Sequence, residues 1–430
     1  MNVKSFVALF FLWLTTQAHA LSFDQALDLA IGYDKKYASA IFEARSAEYV
    51  PVIGRSGLMP KVTLTGFQAG NKLSQSQADF FGQPTTTQQN YTSQSYAAQL
   101  TQPLLNLAAI ATYLQSTKQE KAAQQKLAIE FNELKTRVID AYCALALAQE
   151  VYAQTAKELV TYTAQEKIAS ARLLHGASSK TDVDEIIYAK LQTQATLDEA
   201  NNAMLQAKIA LEKLLGFEIA INEPMTMPLS YLSPNTKLES LLLSAKDGNP
   251  KILYQKYQLD SADYENQKNK AAYIPTVDIV GYQGYQNSNT ISTVGQKSTQ
   301  GYLGLQLNIP LVTGGETYGK ERQSALYAQS QRMLLESEVN DVEESVKKLY
   351  SQAQTSGEKI STLKLQTKTA EQLYLSFLKQ QELGLKSNYD LLMATRRKFQ
   401  SDRDLAKAKY EKIQALKRLE VVASDVFHIK

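Results

Sequence analysis

Apolar and polar residues alternate with period two in four short stretches of this chain and recur at three- and four-residue spacing over most of the remainder. The alternation is cleanest at Leu303, Leu305, Leu307 and Ile309, set against Gly304, Gln306 and Asn308. Residues 60–70, 93–102 and 275–286 alternate likewise, with Val62 and Leu64 against Lys61, Thr63 and Thr65, and Val277 and Ile279 against Asp278. Each such stretch predicts a strand with one apolar and one polar face. The segments 74–90 and 287–300, rich in Ser, Thr, Gln and Asn and poor in charge, read as solvated loops between paired strands. Residues 22–58 and 238–272 carry helical spacing. After each second strand a heptad seam begins. Leu127, Phe131, Leu134, Val138, Ala141, Leu145, Ala148 and Tyr152 form the first, and Leu335, Val339, Val342, Val346, Leu349, Ala353, Ser356 and Ile360 the second. Unbroken seams of this kind predict long helices packed as coiled coils.

The chain is written twice. Ser46-Ala47-Glu48-Tyr49 returns as Ser261-Ala262-Asp263-Tyr264, and "MPKVTLTGFQAG" (59–70) returns as "IPTVDIVGYQGY" (274–285). Gly176 and Asp182 correspond to Gly384 and Asp390 at a slightly shorter offset, the difference falling in the first loop. A gap confined to a loop is what a structural duplication leaves. The organisation expected is a leader over 1–20, a first repeat over 21–216, a linker over 217–237 with Pro224, Pro228 and Pro234, a second repeat over 238–424, and a tail over 425–430. From Leu104 to Arg172 a helix would run roughly 100 Å. The chain then reverses at Gly176 or Gly384 into return helices of half that length, about 181–216 and 387–423. The opening helices supply the missing half.

Composition narrows the function classes. Lys4, the apolar run Phe6–Leu14 and Ala18-His19-Ala20 read as a secretory leader. Removing Lys4 with it lowers the formal charge from +3 by one, which offers no electrostatic case for nucleic acid. Cys143 is the single cysteine, so no internal disulfide can form, and three histidines cannot build a His/Cys metal cluster. His175 reads as a surface residue, Cys143 as a packing residue. No cofactor is expected, and no Ser/His/Asp or Cys/His arrangement suggests an enzyme. Gly314 to Lys320 has the spacing of a phosphate loop, but Glu321 stands where such a loop needs Ser or Thr, and the duplicate segment 103–115 has no glycine. Gly314 and Gly315 are therefore read as flexible backbone where a strand becomes a helix. Pro60, Pro103, Pro275 and Pro310 mark the same junctions. No nucleotide is expected.

Four strands cannot close a barrel, and open edges do not survive in lipid, so strands that span a membrane must be shared among several chains. Tyr91, Tyr96, Tyr282, Tyr285 and Tyr302, on or beside these strands, are candidate membrane-interface aromatics. The duplicated strand–strand–long-helix plan, the proline entries at Pro60 and Pro275, "PLVTGGETYG" after the last strand and "ELGLKSNYDLLMATRRKF" (382–399) together resemble the TolC-type outer-membrane efflux family. The resemblance implies a mixed α and β fold, with four strands contributed to a shared outer-membrane β-barrel and a coiled-coil α-helical tunnel in the periplasm. It implies a homotrimer in the outer membrane of a Gram-negative bacterium, in contact with outer-membrane lipid. It also implies a periplasmic adaptor and an inner-membrane pump as partners. The leading function is a passive, gated exit duct for small-molecule efflux. The alternatives are the outlet of a type I protein secretion system and, of another class, a periplasmic coiled-coil adaptor or scaffold.

The resemblance places the periplasmic gate at the helical reversals. Asp390 aligns with the family's gate aspartate, Lys386 stands where the family has arginine, and Gln381 where it has a gate tyrosine. Met393 occupies the place of a second acid, whose role Asp182, Asp184 or Glu185 would then fill. The plainer reading of Asp182 and Asp390 is an acid in the first turn of a helix. Gly176 and Gly384 suit tight reversals, and with Leu385 they are the expected adaptor-contact tips.

Overall fold

In the computed structural model, residues 21–219, 225, 237–290 and 293–423 are described. The expected leader, most of the expected linker and the tail lie outside them. The elements run α1 (Phe23–Tyr33), α2 (Lys35–Ala47), α3 (Val50–Arg55), β1 (Lys61–Ala78), β2 (Pro84–Leu105), α4 (Leu107–Leu174) and α5 (Lys180–Leu215). A second series follows as α6 (Leu238–Gly248), α7 (Pro250–Ala271), β3 (Thr276–Thr290), β4 (Thr293–Asn308), α8 (Glu316–Glu382) and α9 (Asn388–Ala423). The chain divides into two compact units. Among the described residues one comprises those within 21–41, 127–250 and 339–423, the other those within 42–126 and 251–338.

The second unit holds a single antiparallel four-stranded sheet in the order β1-β2-β3-β4, leaving β1 and β4 as edges. Pro60 and Pro275 immediately precede β1 and β3, where a missing N–H costs nothing. Pro103 lies inside β2, and the β2–β3 register shifts between Pro103 and Leu105, because proline cannot donate to the ladder. Pairing puts Val62, Leu100, Gly281 and Leu303 in one row across the sheet. Leu305 with Ile279, and Leu307 with Val277, extend the same face. Leu64 and Leu303 are 79% and 75% exposed, so this apolar band covers no core in the single chain. Its upper limit is the row Gly66, Tyr96, Tyr285 and Thr299. Tyr91, Tyr282 and Tyr302 lie on the opposite face, where Tyr282 and Tyr302 stack with ring centroids 5.5 Å apart.

The expected loops are a correction. Segment 74–90 is the outer part of the β1–β2 ladder, paired residue by residue up to Ala78 with Pro84, and most of 287–300 pairs as β3 with β4. These residues lack an apolar face, so periodicity could not reveal them, but backbone pairing needs no side-chain pattern. Of the first segment only 79–83 is left as a turn. The Asp79 carboxylate accepts from the amides of Phe81 (2.9 Å) and Gln83 (2.8 Å). Gly82 takes φ +79°, and Phe80 and Phe81 project at the tip, 98% and 85% exposed.

In the helical unit the opening helices are broken rather than continuous, a second correction. Asp34 ends α1, and its carboxylate accepts from the Tyr37 amide (2.7 Å) to start α2. At the equivalent point of the second series Asn249 ends α6, and Pro250 opens α7 at the position where proline fits a helix. The seam expectations match the burial. Leu134, Val138 and Val346 are fully buried, and no residue of either heptad seam is exposed. α4 and α8 run 68 and 67 residues, each roughly 100 Å of helix. Tyr142, also fully buried, donates its hydroxyl to the Leu21 carbonyl (2.7 Å) and meets Phe23 edge-on.

Candidate functional site

The two reversals of the helical unit are built identically. The Ala177 amide donates to the Arg172 carbonyl (2.8 Å) and Gly176 to Leu173 (3.0 Å). At the second reversal Leu385 donates to Gln380 (2.8 Å) and Gly384 to Gln381 (3.1 Å). This pair of bonds closes a helix end only if the intervening residue is left-handed, and Gly176 and Gly384 have φ of +71° and +76°. Three residues later a serine opens each return helix. Ser179 caps α5 and Asp182 reaches back to the Ser179 amide (3.2 Å). Ser387 does the same for α9, with Asp390 accepting from its amide (3.2 Å) and hydroxyl (2.9 Å). Asp182 and Asp390 are thus each the third residue of a capping box.

Hydrogen bonding holds the two carboxylates ionised. For Asp182, slight burial pushes the acid up, and bonds from Ser179, Asn388 and Ser178 outweigh it, leaving it below the usual carboxylate range. For Asp390 the Ser387 hydroxyl and amide lower it further than its small burial raises it, and Lys386 adds attraction. The Lys386 ammonium lies 3.8 Å from Asp390 and over the Phe377 ring at 4.8 Å.

A polar chain joins the reversals. Gln381, buried, donates to the Asn388 side-chain oxygen. Asn388 donates to the Ser178 hydroxyl (2.9 Å), and Ser178 donates to Asp182 (3.4 Å). Ser178, Ser179, Ser387 and Asn388 escaped the sequence reading. The repeated G-x-x-S-x-x-D, from Gly176 to Asp182 and from Gly384 to Asp390, is the signal that would have found the two caps.

The other candidates sit apart. Asp184 and Glu185 are exposed on α5 and line a cavity of about 700 Å³ with Thr181, Tyr188, Tyr389, Arg396 and Arg403; the cap aspartates themselves are not in its lining. In the wall of that cavity Arg403 pairs with buried Glu158 (2.5 Å), and Gln165 donates to buried Thr395 (2.9 Å). Leu385 and His175 are exposed. Cys143 is enclosed by Ile139, Ile413 and Val421, and burial pushes its thiol up to about 12. At the strand-to-helix junction Gly314 and Gly315 have φ of +60° and +85° just before α8. Lys320 pairs with Glu316, and Glu321 accepts from the Tyr273 hydroxyl (3.1 Å), so neither points into a phosphate cradle.

The architecture has known counterparts. The family model described as "Outer membrane efflux protein" matches residues 26–217 and 241–423. The alkaline protease secretion protein AprF of Pseudomonas aeruginosa is 27% identical over 421 residues, 96% of this chain and 86% of its own. The proteases secretion protein PrtF of Dickeya chrysanthemi is 25% identical over 415 residues, 95% of this chain and 89% of its own. Among solved structures, that of CusC superposes with a TM-score of 0.81 at 15% identity, covering 97% of this chain and 96% of that one.

Proposed function

The chain belongs to the outer membrane efflux protein family, and from that premise we propose that it is a trimeric channel-tunnel, the passive exit duct of an export machine, built from two structural repeats. The observation that carries this is the open sheet. Its apolar band is bare and both of its edges are unpaired. In lipid each unpaired backbone group costs several kcal/mol, so β4 of one copy pairs with β1 of the next. Three copies give twelve strands and a closed barrel. α4 and α8 supply the periplasmic tunnel wall, and the reversals at Gly176 and Gly384 form its inner end, where an adaptor to an inner-membrane pump docks.

Asp390, repeated by threefold symmetry, sets a ring of negative charge at the resting constriction, with Lys386 as its counter-ion. The chain Gln381–Asn388–Ser178–Asp182 ties the two reversals together at rest. Only the Asn388–Ser178 bond crosses from one reversal to the other, and at roughly 0.5–1.5 kcal/mol net it is a latch within reach of a docking partner. Asp184 and Glu185 line the cavity beside Thr181 and Tyr389, the chain neighbours of the cap aspartates, and stand as further acids of the same end of the molecule.

For cargo, the family resemblance puts small-molecule efflux first and protein export second, and no residue of the chain separates the two. The match to AprF and PrtF along nearly the whole chain favours the reverse order. Protein export is therefore the leading reading, and small-molecule efflux, supported by the family description, the second. Deleting the gene decides between them. Loss of one or a few proteins from the culture medium, with unchanged tolerance of dyes and detergents, is the expected result. Raised sensitivity with an intact extracellular proteome would replace protein export by efflux.

A further inference from the structure

The helices that adjoin the sheet follow its order. α2 and α3 lie against α4 through Glu43 and Lys126 (2.8 Å) and through the close approach of Gly54 to Ser116. α4 lies against α7 through Lys118 and Asp260 (2.7 Å). α7 in turn meets α8 through Asn266 and Ser324 (3.4 Å) and through Tyr273 and Glu321 (3.1 Å). The layer therefore begins at α2–α3 and ends at α8, as the sheet begins at β1 and ends at β4. Both end members present apolar stripes. Phe42, Tyr49 and Ile53 recur along α2 and α3, and Tyr318, Leu326 and Met333 along α8, all of them exposed in the single chain. Phe42 and Leu326 are each 68% exposed. Rows of large exposed apolar side chains on helices mark a contact surface.

The internal duplication identifies what covers them. Tyr49 corresponds to Tyr264 on the opening helices, and Ser116 and Leu127 correspond to Ser324 and Leu335 on the long ones. Ser116 and Ser324 are both buried, in keeping with that alignment. At the same offsets Phe42 and Arg45 correspond to Tyr257 and Asp260 of α7, and Leu326 of α8 to Lys118 of α4. Within one chain Lys118 sits among the three α7 residues. It pairs with Asp260, lies over the Tyr257 ring at 5.9 Å, and feels Tyr264 through its charge. Pairing of β2 with β3 accompanies that contact of α4 with α7. Pairing of β4 with β1 of the next copy brings α8 to α2–α3 of that copy in the same way. We propose that Leu326 of one copy packs among Phe42, Arg45 and Tyr49 of the next, an apolar clasp where the single chain uses an ion pair. Arg45, exposed, covers Leu326 with its stem and keeps its guanidinium in water. Leu326 lies roughly 15 Å along α8 from Glu316, so the clasp closes the tunnel wall near the barrel at each boundary between copies. The inference rests on the trimer of the function reading.

The test uses the full-length protein in detergent. Cys143 is the single native thiol and is buried, so Phe42→Cys with Leu326→Cys in one chain places two accessible thiols at the contact. Treated with a short bis-maleimide, this variant is expected to yield covalent dimers and trimers on a denaturing gel, and neither single-cysteine variant to yield any. A charge exchange gives a second readout. Leu326→Lys sets an ammonium against Arg45 and is expected to shift the melting temperature of the trimer downwards. Adding Arg45→Asp recreates the pairing of Lys118 with Asp260 and is expected to shift it back. Intact trimers whose cysteine pair yields no linked copies would overturn the clasp. So would an unshifted Leu326→Lys variant, or a double variant as weak as the single one. Failure of the trimer reading looks different: the wild-type protein itself would then run as single chains.

Discussion

Ser179 and Ser387 tie the gate candidates to folding as well as to transport, because each aspartate closes a capping box, Asp390 also carries the charge proposed for the constriction and Asp182 accepts from the side chains that join the reversals. The lowered acidities set the pH behaviour. A carboxylate depressed in the folded state contributes stability that is fully present above its unfolded value near 3.9 and lost as pH falls through the folded value. Between pH 7 and 5 both acids stay charged, so cation block of the channel in a planar bilayer should be constant there and weaken only below about pH 4. Asp390→Asn should weaken block over the whole range. Unchanged block in Asp390→Asn would show that another group forms the ring. Tighter packing constraints operate at Gly54. A Cβ there would lie 2.3 Å from the Ser116 hydroxyl and 2.8 Å from its Cβ. Gly54→Ala should therefore lower the yield of folded trimer, and Ser116→Gly in the same chain should restore most of it. Tyr142→Phe leaves the Leu21 carbonyl without that donor, at an expected cost of about 1–3 kcal/mol in thermal melts.

At the scale of elements, the strongest constraint is the pair of heptad seams. Leu134→Ala removes a fully buried side chain from the first, and a loss of about 2–5 kcal/mol is expected, read as a lower melting temperature of the trimer. The hairpins offer a sharper test because Cys143, the only thiol, is buried. Cysteines placed at Gln75 and Thr87, which face each other across the ladder, should oxidise to a disulfide. Cysteines at Gln75 and Thr86, out of register, should not. Equal yields would mean that this segment is an unpaired loop. Here lies the divide between what was legible in the sequence and what was not. Val62, Leu64 and Leu303 to Ile309 announced their strands because one face is greasy, and the seams announced α4 and α8 for the same reason. The outer ladder from Gly70 to Ala78 has two polar faces and gave no such sign. Nor did the breaks at Asp34 and Asn249, which rest on a side-chain cap and on a proline at a helix start rather than on periodicity. The reversals were half legible: Gly and Asp stood out in both copies, whereas the bonds of Asn388 and Gln381 depend on which residues the fold brings together.

For the whole molecule the decisive quantity is the number of copies. Size determination of the detergent-solubilised protein should return three chains, and a soluble monomer would remove the shared barrel. The tilt of cargo towards protein comes from relatives and not from any residue of this chain, which is why the deletion phenotype matters more than any point variant. The long β1–β2 hairpin has a practical consequence as well. With the tyrosine row as the lipid boundary, the turn around Phe80, Phe81 and Gly82 stands well clear of the cell's surface, held by Asp79 at the end of the β1–β2 ladder. A short epitope spliced in beside Gly82 would leave that ladder intact and make the protein visible to antibody on living, unpermeabilised cells.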